Sequence, residues 1–172
     1  VLVAMDDLAN FFEKSFKIST RNGRGVPLRL LTDSSLAGKR DHRLEMTKDG
    51  IMVAASSEWG FARGLYRLQS MLRTRRFPAL PRKVVTSDKS LGDALAHPMF
   101  KSNSEVDLSH PEAYGRNYLL RLARAGHTGF HINLKMRMFY KSSILPELDD
   151  SDADRNLETL RRIVEEARSC SL

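Results

Sequence analysis

The stretch Leu44–Leu72, LEMTKDGIMVAASSEWGFARGLYRLQSML, predicts a β-hairpin that leads directly into an amphipathic helix. Apolar and polar residues alternate on both sides of Asp49-Gly50, and an Asp-Gly pair in that setting is the strongest short hairpin signal. Ser56 and Ser57 then offer side-chain oxygens to the first amides of a helix. The helix carries one apolar stripe with +4, +3 and +4 spacing, formed by Phe61, Leu65, Leu68 and Leu72.

Two glycines, Gly60 and Gly64, lie four residues apart in the first turns of this helix. Glycine in a helix interior destabilises the helix by roughly 1 kcal/mol relative to alanine. Two glycines so close together therefore indicate a structural requirement for them. We expect that requirement to be a close approach of the helix backbone to the sheet.

The first half of the chain predicts a small mixed sheet with helices on one face. Helical spacing of apolar residues from Leu2 to Phe16 is carried by Met5, Leu8, Phe12 and Phe16. A turn around residues 21–25 precedes an apolar strand at Val26–Leu31, and Val84–Thr86 is expected to add an edge strand after the hairpin and helix.

The second half predicts alternating strands and helices, which is typical of a parallel sheet. A short strand is expected within residues 97–104, and a helix begins at Pro111 and ends before Gly126. Gly129–Leu134 predicts a buried strand. Ser151 to Asp154 are expected to cap a last helix with the stripe Leu157, Leu160, Val164 and Ala167. We place a domain boundary between Ser87 and His97, giving domains 1–90 and 91–172.

Two segments resemble parts of known glycoside hydrolases. The segment DGIMVAASSEWGFARGLYRLQ (residues 49–69) is similar to the end of the small α/β domain that precedes the catalytic barrel in β-N-acetylhexosaminidases (family 20) and α-glucuronidases (family 67). The segment YLLRLARAGHTGFHIN (residues 118–133) resembles the first helix and second strand of the (β/α)₈ barrel in these families. The resemblance implies an accessory domain over 1–90 and an incomplete barrel start over 91–172. Lys101 stands where the hexosaminidases carry an arginine, and it lacks the bidentate fork.

Active sites of such barrels form at the C-terminal ends of the strands. The polar residues expected there are candidate substrate-binding residues: Lys101, Asn103, His131 and Asn133. Each also has a structural explanation. His131 alternates with apolar neighbours and suits a core histidine, Asn133 suits a turn, and Lys101 suits a solvated surface.

The sequence predicts no catalytic residue within this chain. Glycoside hydrolysis generally needs two carboxyl groups that flank the scissile bond, and no such pair follows a predicted strand. Asp149-Asp150 and Asp152-Asp154 lie where a helix N-terminus favours negative charge, so we expect capping there. A complete barrel needs about 250 residues, and the family resemblance puts the catalytic pair on a later strand. The parent is therefore expected to hydrolyse O-glycosidic bonds while this chain alone is inactive.

Neither a metal site nor a cofactor is predicted. Among the five histidines, only His127 and His131 are spaced i, i+4, and that pair spans a helix end and a strand. No Gly-rich phosphate loop is present. The single cysteine, Cys170, excludes an internal disulfide and leaves the compartment undetermined.

Composition bounds the remaining possibilities. The 172 residues are 41% hydrophobic and 28% charged, which is typical of a globular chain, and no apolar run approaches the roughly 18 residues of a membrane helix. The start at Val1 lacks a basic n-region, so it is not itself a signal peptide, and secretion after removal of one stays open. Both ends suggest a piece of a longer protein.

Two other functions remain open. The net charge of +7 is partly local, with Arg73, Arg75, Arg76, Arg82 and Lys83 in one connection. A basic module for nucleic acid or another anionic partner is therefore the alternative, although a solvated charged face explains the same residues and disfavours nucleic acid. A protein-interaction adaptor would use the exposed strands. The expected partners are a carbohydrate substrate and the remainder of the barrel, with no membrane.

Overall fold

The computed structural model describes residues 1–20, 25–75, 83–86, 94–96, 108, 111–132 and 134–172. Two compact units are formed. The N-terminal unit contains Val1–Gly92, Ala123–Gly126 and Ser171, and the C-terminal unit contains Asp93–Leu122, His127–Cys170 and Leu172. No helix in the described ranges combines the length and the apolar character needed to cross a membrane.

The N-terminal unit is built on a four-stranded mixed sheet, as predicted. Its strands are β1 (Leu28–Thr32), β2 (His42–Met46), β3 (Ile51–Ala55) and β4 (Lys83–Thr86), in the order β1-β3-β2-β4. Strand β3 pairs parallel with β1 and antiparallel with β2, with Leu44 opposite Val53. The loop between β2 and β3 closes through the Thr47 N–H, which donates to the Gly50 carbonyl at 2.9 Å. The hairpin and the edge strand β4 are therefore confirmed.

Helix α2 (Glu58–Arg75) crosses the sheet at the close distance that its glycines predict. A Cβ at Gly60 would lie 2.4 Å from the Asp41 carbonyl oxygen, and one at Gly64 would lie 2.3 Å from Cγ1 of Val53. Ser57 caps the helix, since its hydroxyl accepts the Gly60 N–H at 3.1 Å.

Helix α1 (Leu2–Phe16) is confirmed over the predicted range and packs against α2. Its buried residues are Ala4, Asp7, Leu8 and Phe11, whereas Met5 is 39% exposed. Of the four residues that carry the predicted helical spacing, Leu8 is buried and Met5 is exposed. Asp7 is buried as well, and its carboxylate pairs with Arg124.

In its described residues, the C-terminal unit includes a two-stranded parallel sheet and the helices α3 (Arg116–Arg124) and α4 (Ala153–Ser169). Strand β5 (Leu95–Ala96) pairs with β6 (Gly129–Phe130), with Leu95 opposite Gly129. A 3-10 turn at Pro111–Tyr114 precedes helix α3 (Arg116–Arg124). The helix ends in a Schellman motif, in which Gly126 has a φ of +94° and the His127 N–H donates to the Leu122 carbonyl.

Strand β6 is shorter than the predicted Gly129–Leu134. The ladder that the structure describes ends where the His131 N–H donates to the Ala96 carbonyl at 2.9 Å. Residues 97–104, where the other strand is expected, lie outside the described residues. Sequence alternation thus identified an extended segment, but it cannot say how far a partner strand accompanies it.

Helix α4 (Ala153–Ser169) also differs from its prediction in two respects. Its buried positions include Ile163 and Ala167, while Leu157 and Val164 are each 38% exposed. Asp152 precedes the helix with φ −98° and ψ 6°, and its side chain makes no capping hydrogen bond. The predicted cap at Asp152 is wrong because this backbone is not extended, as a capping residue normally is.

Candidate functional site

The carboxyl ends of β5 and β6 lie side by side in the C-terminal unit. Hydrogen bonds from the Thr128 N–H to the Ala94 carbonyl (2.7 Å) and from the His131 N–H to the Ala96 carbonyl (2.9 Å) bracket the paired residues. Because the two strands are parallel, their carboxyl ends at Ala96 and Phe130 lie at one common edge of the sheet. This is the edge at which the sequence predicts substrate-binding residues.

His131 lies at this edge, on the face away from the apolar core. Its neighbours Phe130 and Ile132 pack against the buried cluster of Leu108, Tyr114, Met138 and Ile163. The rings of Tyr114 and Phe130 are stacked, with centroids 5.6 Å apart. Successive side chains of an extended segment point to opposite faces, and His131 is indeed exposed. The alternative of a core histidine is therefore wrong.

The other three candidate residues cannot be placed beside it. Lys101, Asn103 and Asn133 lie outside the described residues. Their predicted role in substrate binding stays a prediction, and His131 alone has a described position at the strand ends.

A long loop, residues 135–150, follows this edge and is held by its own hydrogen bonds. Met138 is buried, and its carbonyl accepts a hydrogen bond from Nδ2 of Asn156 at 2.9 Å. The Asp150 N–H donates to the Tyr140 carbonyl at 3.1 Å and closes the loop. The segment also contains two short 3-10 helices, Met136–Phe139 and Pro146–Leu148.

The carboxylates near the strand ends hold the loop together. Oδ1 of Asp149 accepts the Ser142 N–H at 2.7 Å, and Oδ1 of Asp150 accepts the Asp152 N–H at 2.8 Å. Asp154 forms an ion pair with Lys141. These contacts explain the acidic residues structurally. Within the described ranges, no cluster of three or more His, Cys, Asp or Glu side chains could hold a metal ion.

An open groove of about 440 Å³ lies elsewhere in the C-terminal unit, between the 3-10 turn and helix α4. Its lining residues are Pro111, Glu112, Tyr114, Gly115, Arg116, Arg162, Ile163 and Glu166. Nη1 of Arg116 and Oε1 of Glu166 approach to 3.5 Å across it. Sequence reasoning missed this groove because its two sides come from segments about 50 residues apart, with no spacing that links them.

A second group of functional interest lies in the N-terminal unit, around Trp59. Nζ of Lys39 is 4.3 Å from the centroid of the Trp59 ring, and Cζ of Arg40 is 5.4 Å from it. Tyr66, on the same helix, is fully buried. Lys39 and Arg40 come from a different loop, so no sequence signal pointed to their contact with Trp59.

The pKa of His42 responds to the charges in this region. Burial lowers the pKa of His42 below its ordinary value of 6.5, against a hydrogen bond with the Arg40 carbonyl that raises it. The positive charges of Arg63 and Arg67 lower the pKa of His42 further. The region therefore disfavours an additional positive charge.

The arginine cluster that motivated the nucleic-acid alternative is described only in part. The guanidinium of Arg73 lies 4.9 Å from the centroid of the Phe11 ring. Arg76 and Arg82, and the side chains of Arg75 and Lys83, lie outside the described residues.

This combination of a mixed-sheet unit and a unit with a parallel strand pair defines a chain of the α/β class. Over 99% of its length it is similar to the solved structure of a GH138 enzyme targeting pectin rhamnogalacturonan II, with a TM-score of 0.68 and 14% sequence identity. The chain spans 22% of the length of that enzyme. No protein-family model and no curated protein matches the sequence. At this identity the similarity shows a glycoside-hydrolase-like fold.

Proposed function

We propose that this chain is the N-terminal part of a carbohydrate-active enzyme whose parent hydrolyses O-glycosidic bonds. The observation that carries the proposal is the similarity in fold to a glycoside hydrolase over 99% of the chain, including both units. A likeness confined to one unit would be compatible with many unrelated α/β proteins, since one fold serves many functions.

The proposed domain roles follow from the order of the two units. Residues 1–90 form the accessory α/β domain, and residues 91–172 open a (β/α)₈ barrel with β5 and β6 as its first two strands. The parallel pairing of β5 with β6, with a helix between them, supports this assignment. The finer resemblance to families 20 and 67 rests on residues 49–69 and 118–133 and is part of the proposal.

In this proposal the chain contributes substrate binding, and the catalytic carboxylates belong to later strands. His131, with Lys101, Asn103 and Asn133, would hydrogen-bond sugar hydroxyls at the carboxyl edge of the barrel. The proposed partners are the carbohydrate substrate and the remainder of the barrel. Neither a membrane nor nucleic acid is a proposed partner, and no cofactor is required by a two-carboxylate mechanism.

The test compares the 172-residue chain with the longer protein that contains it. Both are assayed on aryl glycosides of N-acetylglucosamine and glucuronic acid, with release of the aryl alcohol as the readout. We expect turnover by the longer protein and none by the 172-residue chain. Turnover by the short chain, or by neither protein on any glycoside of the panel, would overturn the proposal.

A further inference from the structure

The single tryptophan of the chain lies beneath two positive charges that come from one loop. Nζ of Lys39 and Cζ of Arg40 lie 4.3 Å and 5.4 Å from the centroid of the Trp59 ring. The two cations therefore cannot be farther apart than about one Debye length at moderate ionic strength, about 10 Å. An anion bound at this position would lie near both positive charges.

Positive charge continues from Trp59 along helix α2. Arg63 and Arg67 follow Trp59 by four and eight residues, so each is a neighbour of the one before on the helix surface. The row extends about 12 Å along the helix axis, at about 1.5 Å per residue. Arg63 is buried and donates from Nη1 to the Ala123 carbonyl at 3.2 Å, whereas Arg67 is exposed.

Two of these cations are available to a ligand. Lys39 and Arg67 are exposed, and neither forms an ion pair with a residue in the described part of the chain. The nearby acid, Asp41, already accepts a hydrogen bond from the Gly38 N–H through Oδ2 at 3.0 Å. After burial, the charges of Arg63 and Arg67 contribute to the lowered pKa of His42, whereas the charge of Asp41 raises it.

We propose that this cationic surface, formed by Lys39 and Arg40 at the Trp59 ring and by Arg67 about two turns further along α2, binds the carboxylates of an acidic oligosaccharide built from uronic acid residues. Its cations are spaced along a helix, which suits carboxylates carried at intervals on a polymer, and arginine binds carboxylate through two parallel hydrogen bonds. The choice of a saccharide rests on the proposed function, while the charge arrangement does not depend on it.

Nucleic acid is the less suitable occupant. Grooves for single strands stack bases on open aromatic faces, and here the Trp59 ring already carries Lys39 and Arg40. Binding to nucleic acid would therefore rest on phosphate contacts alone, with no favoured position for a base.

The experiment titrates the 172-residue chain with a galacturonate oligomer of defined length, at low and at physiological salt. Binding is followed by calorimetry and by the emission of Trp59, the one tryptophan reporter. We expect saturable binding with a change in Trp59 emission and an affinity that falls as salt rises. Lys39→Gln and Arg67→Gln should each weaken binding by about tenfold, as expected for loss of one charge-assisted hydrogen bond.

A control variant, two control ligands and a stability measurement accompany the titration. Lys48→Gln removes an equal charge from the exposed β2–β3 loop and should leave the affinity unchanged. A neutral glucan oligomer of equal length should not bind, and a single-stranded DNA oligomer should bind more weakly than the uronate. Lys39 and Arg67 are exposed, so both variants should retain the unfolding midpoint of the parent chain.

The inference is overturned by absent binding at low salt, by DNA binding as tightly as the uronate, or by Lys48→Gln weakening binding as much as Lys39→Gln. Its failure is distinct from that of the proposed function. Binding is measured on a chain that needs no catalytic carboxylates, whereas hydrolysis is measured on the longer protein.

Discussion

The guanidinium of Arg124 forms a bidentate ion pair with the carboxylate of Asp7, although 117 residues separate them in sequence. Nε of Arg124 lies 2.8 Å from Oδ2 of Asp7, and its Nη2 pairs with Oδ1. Nε2 of Gln69 also donates to the Asp7 carbonyl, at 3.4 Å. The last turn of α3 is thereby fixed to α1 within the N-terminal unit, which explains why Ala123–Gly126 belong to that unit.

Removing Arg124 should destabilise the N-terminal unit. Asp7 is nearly buried, so Arg124→Ala leaves a desolvated carboxylate without its charged partner, at a cost of about 2 kcal/mol. The free energy of unfolding is measured by urea denaturation with Trp59 emission as the probe. Arg161→Ala, which breaks an exposed pair with Glu158, is the control and should change stability by less than about 0.5 kcal/mol. Equal stability of Arg124→Ala and the unaltered chain would show that the pair contributes nothing.

Alanine substitution of either α2 glycine should destabilise the fold, but a second substitution can relieve the clash only at Gly64. Gly64→Ala places a Cβ against Cγ1 of Val53 and should cost about 1–3 kcal/mol, despite the better helix propensity of alanine. Adding Val53→Ala removes the clash and should reduce the apparent cost of Gly64→Ala. Gly60→Ala meets the Asp41 carbonyl, which no side-chain truncation can remove. A double-mutant cycle on urea midpoints measures this, and full additivity of Gly64→Ala with Val53→Ala would contradict the packing.

Stability should fall as the pH drops below the ordinary pKa of histidine. Burial holds the pKa of His42 in the folded state below 6.5, so the unfolded chain takes up the proton first. The contribution of His42 is complete above about pH 6.5 and is lost progressively as the pH falls toward its folded-state pKa. Urea midpoints between pH 5 and 8 should show this decline, and His42→Gln should flatten it. A decline of equal size in His42→Gln would assign the effect to another group.

The loop after β6 should loosen when its contact with α4 is removed. Asn156→Ala deletes the hydrogen bond from Nδ2 to the Met138 carbonyl, worth about 1 kcal/mol. Hydrogen exchange at the Asp150 amide, which bonds the Tyr140 carbonyl, should then accelerate by about fivefold. Ser143→Ala, on an exposed part of the same loop, should leave the exchange unchanged. An unaltered rate in Asn156→Ala would mean that the loop is held by other contacts.

Substitution of His131 should lower activity and leave stability almost unchanged. Its side chain is exposed while its backbone N–H makes the ladder bond, so His131→Ala should change stability by less than about 0.5 kcal/mol. In the longer protein the same change should lower kcat/KM by at least about tenfold, because a substrate hydrogen bond is lost. Aryl glycoside kinetics and thermal unfolding of both variants measure the two effects. An unchanged kcat/KM would remove His131 from the substrate site.

Local signals made the N-terminal unit predictable. The Asp49-Gly50 turn, the capping serine Ser57 and the paired glycines of α2 each act within a few residues, and the structure confirms all three elements. Features set by distant partners were not predictable in this way. The ion pair of Asp7 on α1 joins it to Arg124, 117 residues away, and the cations over Trp59 come from another loop.

Of the proposed site, only the adjacency of the two strand ends could be predicted and is confirmed. Parallel pairing places the ends of β5 and β6 together, as the alternation of strands and helices indicates. The exposure of His131 depends on which side of β6 packs against the apolar cluster. The sequence around it is equally compatible with a buried histidine. The roles of the loop carboxylates also needed the structure: Asp150 and Asp152 look alike in sequence, but only the Asp150 side chain accepts a described hydrogen bond.

A crystal structure of the longer protein tests the central claim most directly. We predict that β5 and β6 are adjacent strands of one closed parallel barrel, with two carboxyl groups about 5–10 Å apart at the carboxyl edge beside His131. A structure in which β5 and β6 remain an isolated pair, or in which that edge holds no carboxyl pair, would contradict the assignment.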